Sequence, residues 1–195
     1  MVSGAGTNLQ ALIEACNDPA YGAHVVAVGA DRDDIEGLRR AERVGIPTFV
    51  CKVSQFETRE DWDRAMARVV SRFKPDFVVL AGFMKLFGQR FLGTFPNRIL
   101  NTHPALSPAF PGMRGPAEAI DYGVKVSGCT LFVVDPGVDT GPIIAQRSVA
   151  VADDDDASSL HERIKIAERE MLVETVGRIA RESITITNRK VRFGR

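Results

Sequence analysis

Short apolar runs alternate along this chain with longer stretches of helical periodicity, and that alternation most limits the folds open to it. Residues 24–30 (HVVAVGA), 46–51 (IPTFVC), 76–83 (DFVVLAGF) and 98–101 (RILN) read as strands. Between them, residues 34–45 read as a helix closed by Gly45. Residues 58–73 repeat Trp62, Ala65, Met66, Val69, Val70 and Phe73 at helical spacing, behind a Thr58/Asp61 pair resembling a capping box. Strand–helix alternation of this kind predicts a parallel sheet covered by helices, in one α/β domain over residues 1–195. The most apolar run, 76–83, belongs at the sheet centre.

The second half changes character. Residues 102–116 carry prolines at 104, 108, 111 and 116 and read as a long ordered loop. SGCTLFVVD and PIIAQRSVAV read as a strand pair around the turn PGVDTG. A long helix follows from about Ser159, and ITITNRKVRF alternates like an edge strand or hairpin.

Composition removes several function classes. Lys plus Arg equals Asp plus Glu at 25 each, so no nucleic-acid or membrane surface is implied as the main partner. No apolar run reaches the roughly 20 residues of a membrane span, and no signal peptide is seen. Cys16, Cys51 and Cys129 are far apart and odd in number, which predicts reduced thiols in a cytoplasmic protein and no zinc site. The run 153–156 (DDDD) reads as a solvated loop suited to the coming helix N-terminus.

Three stretches could carry chemistry. In SGAGTNL, Gly4, Gly6, Thr7 and Asn8 precede an amphipathic helix, where backbone N–H groups and the helix dipole favour an anion. No Lys follows as in a Walker loop, and Leu9 holds the third glycine position of a dinucleotide fingerprint, so an ordinary strand-to-helix turn remains open. At the end of a strand, Asn101 and His103 point to one side, and together they could donate hydrogen bonds to a developing oxyanion. A strand-end Asn capping a turn, with a His packed on Pro104, is the plainer alternative. In DPGVDTGPII, Asp139 could orient a histidine, whereas Asp135 better suits bonding its own turn backbone. No nucleophile elbow or H-E-x-x-H is present. The trio Asn101, His103 and Asp139 suits attack of an amine on a carbonyl-type carbon without a metal.

As a set, SGAGTNLQALIEA, DFVVLAGFMKLF, RILNTHPALSPAFPG, YGVKVSG and VDTGPIIAQ resemble the glycinamide ribonucleotide formyltransferase family, in order and spacing, over nearly the whole chain. The resemblance implies a Rossmann-like formyltransferase fold with a mostly parallel central sheet, helices on both faces, a phosphate-binding N-terminal part and a folate-binding C-terminal part. It implies formyl transfer from 10-formyltetrahydrofolate to the glycinamide amine in purine biosynthesis, with small-molecule partners only, as a monomer or homodimer. By position, Asn101, His103 and Asp139 match the catalytic residues. Gly6, Thr7 and Asn8 match the phosphate loop, and Glu168 matches a carboxylate on the glycinamide side. Met84, Lys85, Leu86, Val133, Asp135 and Val138 match the pterin pocket, and Arg59 and Lys85 match basic positions near the glutamate tail.

The chain departs from the family in places. Lys85 stands where Arg is common, which removes a planar fork. Arg114 and Phe132 stand where histidines are usual, and Ser107 alters the common LLP. The family's loop follows a strand of several apolar residues, whereas here only Met1 and Val2 precede it. A shortened first strand, and a chain that starts a few residues late, are therefore expected. A 10-formyltetrahydrofolate hydrolase and methionyl-tRNA formyltransferase are related readings, each with a further domain that 195 residues leave no room for. A non-catalytic nucleotide-binding module is the rival from another class. Against it stand the missing third glycine and an acidic residue, Asp31, placed slightly late for a dinucleotide site.

Overall fold

In the computed structural model, residues 1–194 are described, and the chain divides into two compact units, Met1–Leu100 and Asn101–Arg195. Six helices and eight strands are found among the described residues.

In the first unit, β1 (Val28–Ala30) and β2 (Thr48–Val50) pair in parallel, Val28 opposite Thr48. Residues 1–3 lie on the other side of β1. Val2 bridges Ala30 in parallel, and its N–H donates to Gly29 O at 2.9 Å. The same residues meet the segment after β3 (Val78–Leu80): Ala81 N–H donates to Met1 O at 2.9 Å, and Ser3 N–H to Gly82 O at 3.1 Å. Two or three residues thus do a central strand's pairing, which satisfies backbone groups that would otherwise be buried unpaired. On the far side, Val78 N–H donates to Arg98 O at 2.8 Å, just before β4 (Ile99–His103).

α1 (Thr7–Ala15) and α2 (Glu36–Arg43) bury Leu9, Ile13, Leu38 and Ala41 in a cluster with Val2, Val28, Ala30 and Ala81. α3 (Arg59–Ser71) begins as its letters predict: the Thr58 hydroxyl accepts from Asp61 N–H at 3.1 Å. Trp62 is fully buried, and its indole N–H donates to Cys51 O at 2.9 Å. α4 (Gln89–Thr94), which the periodicity does not reveal, is capped from α3: the Asp63 carboxylate accepts from Gly88 and Phe91 N–H at 2.6 and 2.9 Å. Strands are shorter than the apolar runs suggest. Residues 24–27 continue the apolar pattern of β1 but lie outside it, because a strand lasts only as long as its neighbour.

In the second unit, the last residues of β4 neighbour β5 (Val126–Val133), which pairs antiparallel with β6 (Ile143–Ala150). The proline-rich loop ends sooner than its composition predicts. α5 (Gly115–Tyr122) starts with Pro116 in its first turn, where a missing N–H is harmless. α6 (Ala157–Glu182) opens two residues before the expected Ser159, because Asp156 accepts from Ser158 and Ser159 N–H, each at 2.8 Å. It buries Leu160, Ile164, Met171 and Leu172 and touches α5, β5 and β6. β7 (Ile184–Thr187) and β8 (Lys190–Phe193) form the hairpin that alternation predicts.

Candidate active site

The second unit holds the residues with the strongest geometry. β4 delivers Asn101, Thr102 and His103 at its carboxyl end, where open α/β sheets place ligands. Asn101 is half-buried and His103 is 3% exposed. His103 Nε2 lies 2.7 Å from the carbonyl of Phe110. A carbonyl oxygen can only accept, so Nε2 carries a proton. Nδ1 is 3.4 Å from Asp139 Oδ2, an ion pair when that nitrogen is protonated as well. Asp139 Oδ2 also accepts from Gly112 N–H at 2.8 Å. Both catalytic candidates are therefore bonded to the proline-rich loop.

That loop is fixed at its start by two side chains from the β5–β6 pair. The buried Thr130 hydroxyl donates to Ala105 O at 2.7 Å and accepts from Ser107 N–H at 2.9 Å. Gln146 Nε2 donates to Ser107 O and to Thr130 Oγ1, both at 3.0 Å. Further on, Phe110 sits at φ 51°, in the left-handed region that disfavours a β-carbon.

The turn between β5 and β6 carries Asp139, itself at φ 55°. Asp135 organises it as turn chemistry predicts: Oδ1 accepts from Gly137 N–H at 3.1 Å and from the Thr140 hydroxyl at 2.6 Å. Glycine is obligatory at 141, since a β-carbon there would come 1.7 Å from Val133 O. Val133 is buried and Val138 exposed.

Glu168 is the surprise of α6. Helical periodicity alone makes it a solvated residue, yet it is 9% exposed and accepts from the Thr102 hydroxyl at 2.9 Å. Thr102 thus links the Asn101–His103 strand end to α6, a contact that sequence reasoning missed and that its place between those two residues could have signalled. Nearby, burial and then the Glu168 charge push the Cys129 thiol up to about 12. Phe132 is buried, whereas Arg114 is exposed, 3.9 Å from Asp121.

In the first unit, Gly6 caps α1 at φ 69°, with Thr7 and Asn8 in the first turn. A β-carbon at Gly6 would come 2.6 Å from Gly37 Cα, so only glycine lets α1 approach α2. Arg40 braces the loop, donating to Ala5 O at 2.9 Å and to Gln10 Oε1 at 3.1 Å. First-turn amides of a helix lack intrahelical acceptors, so this end suits an anion. Residues 84–86 form a second feature: Met84 and Leu86 are exposed, and Met84 N–H donates to Ser3 Oγ at 2.9 Å. Arg59 donates to Leu86 O at 2.6 Å while lying 4.3 Å over the Trp62 ring. Lys85 Nζ is 3.9 Å from Asp31, whose carboxylate is buried yet bonded to Arg32 at 2.9 Å. Burial raises that carboxylate, but hydrogen bonds from Arg32 and Ser3 outweigh it and leave it below the usual range. Among the described residues, no three His, Cys, Asp or Glu side chains converge as a metal would require.

Known proteins share this architecture. A phosphoribosylglycinamide formyltransferase of Mycobacterium tuberculosis (strain ATCC 25618 / H37Rv) is 45% identical over 195 residues, spanning 100% of this chain and 90% of that protein. A trifunctional purine biosynthetic protein adenosine-3 of Drosophila melanogaster is 42% identical over 170 residues, 86% of this chain and 13% of that protein. The crystal structure of glycinamide ribonucleotide transformylase 1 from Symbiobacterium toebii superimposes with a TM-score of 0.95 at 40% identity, covering 100% of this chain and 92% of that one. A sequence model described as formyl transferase matches residues 1–176, and the chain belongs to the formyl transferase family.

Proposed function

We propose that this chain transfers the formyl group of 10-formyltetrahydrofolate to the amine of glycinamide ribonucleotide. The observation that carries the reading is the buried His103 beside Asp139, at the strand end that also supplies Asn101. The similarity to phosphoribosylglycinamide formyltransferases supports the substrate pair.

In this reading the amine adds to the formyl carbon, the carbonyl oxygen becomes an oxyanion, and the folate nitrogen leaves as it gains a proton. Asn101 donates its amide N–H to the oxyanion. His103 Nε2–H, now on Phe110 O, exchanges one oxygen acceptor for another and donates to the same oxyanion. Asp139 holds the ring through Nδ1 and takes up the proton that the attacking amine must lose. Glu168 engages the glycinamide. The amides of Gly6, Thr7 and Asn8 take the ribonucleotide phosphate, Met84, Leu86, Val133, Asp135 and Val138 receive the pterin, and Arg59 and Lys85 meet the glutamate tail.

The deciding assay follows loss of the formyl group from the folate with and without glycinamide ribonucleotide. Turnover is expected only with the amine present, with formylated ribonucleotide as product. Amine-independent turnover would make the chain a hydrolase, and no turnover by folded protein would overturn the reading.

A further inference from the structure

The hairpin β7–β8 lies beyond residue 176, where the match to the formyl transferase family ends, and the chemistry above makes no use of it. Its turn has Asn188 at φ 48° and Arg189 at φ 68°. Consecutive left-handed residues match the twist of the flanking strands, and the second of the two strongly favours glycine. A β-carbon is strained there, so an arginine at 189 destabilises its own turn.

The guanidinium gives that strain a purpose. Arg189 Nη2 donates to the carbonyl of Thr140 and, at 3.4 Å, to that of Gly141, while Nη1 lies 4.0 Å from Asp135 Oδ2. All three acceptors belong to the turn that carries Asp139. Pro136, Gly137 and Val138 of that turn are exposed, so packing does little to hold them. Arg189 is itself 65% exposed, and a surface ion pair of this kind adds little stability. What it supplies is geometry: Nη2 donates to two successive carbonyls while Nη1 faces the Asp135 carboxylate, so one guanidinium spans the turn.

We propose that Arg189 is a positioning residue. From the hairpin tip it clamps the Asp139 turn and fixes the carboxylate against His103. The inference rests on the role given to Asp139 above. It predicts opposite signs for stability and rate, because the residue that strains the hairpin also orders the turn.

The test uses the full chain with Arg189→Gly and Arg189→Lys. Glycine relaxes the hairpin turn, so Tm is expected to hold or rise by about 2 °C. Loss of the clamp is expected to lower kcat about tenfold, since small misplacements near the chemistry cost that much or more, with KM for the ribonucleotide unchanged. Backbone amides of residues 137–141 should exchange hydrogen for deuterium faster than in the parent chain, and lysine should fall between. Unchanged exchange overturns the clamp. Faster exchange with unchanged kcat overturns the positioning role. A lowered Tm with unchanged exchange and kcat marks a merely structural residue and overturns both. If the parent chain transfers no formyl group, the functional reading fails, and the exchange comparison still decides the clamp.

Discussion

His103 shows how far a single letter can be read. Its spacing from Asn101 at a strand end, and an Asp in a rigid turn further on, were enough to name it. The partners that now hold it were not readable, because the Phe110 carbonyl and the Gly112 amide are backbone groups that every residue possesses. Glu168 was named by resemblance alone, since the periodicity of α6 marks it as solvated. Arg189 was missed because it sits in a hairpin turn, where letters say nothing of long-range contacts. Burial of Glu168 follows from Thr102, a contact 66 positions away in sequence. The roles proposed for the pair can be checked directly. His103→Ala is expected to lower kcat about a hundredfold or more, and Asp139→Asn by a similar factor, as loss of an oxyanion donor or proton acceptor does. Ribonucleotide affinity, measured by calorimetry, should change little in either variant. Near-parental rates would remove these residues from the mechanism.

Helices were more legible than strands, since a helix closes its hydrogen bonds locally and a strand needs a neighbour. α3 illustrates this: its apolar stripe and Thr58 cap are both in the letters, and both are present in the fold. α4 is too short to show a stripe, and its start depends on Asp63 from another helix. The proline-rich loop was recognised, but its end was not, because Pro116 opens α5 instead of breaking it. Thr58→Ala should destabilise the protein by about 1 kcal/mol, the usual cost of losing an N-cap, measured by urea unfolding. Thr58→Ser should restore most of that. An alanine variant as stable as its parent would show that the α3 terminus gains nothing from the hydroxyl.

Stability as a function of pH is a property of the entire chain, and Asp31 and Cys129 contribute to it from opposite ends. Asp31 sits below the usual carboxylate range, so its contribution is complete above its ordinary value and is lost as pH falls through the lower folded one. Cys129 behaves in the other sense. Its unfolded thiol ionises from about pH 9 while the folded one stays protonated to about 12, so stability falls across that window by about 1.4 kcal/mol per pH unit. Urea midpoints should therefore fall toward alkaline pH, and loss of the Asp31 contribution should add to their fall at acid pH. Asp31→Asn should flatten the acid limb and Cys129→Ala the alkaline limb. A limb that keeps its slope in the matching variant would assign it to other groups.

The Phe110 carbonyl on His103 has a consequence for ligand binding. It acts as a tethered competitor, present at a fixed effective concentration that dilution does not reduce. Any compound that docks an oxygen on His103 binds with an apparent affinity reduced by the fraction of molecules in which the tether is bound. Compounds that leave that imidazole alone escape the reduction. Affinity differences between such compounds would then measure how tightly the protein occupies its own imidazole.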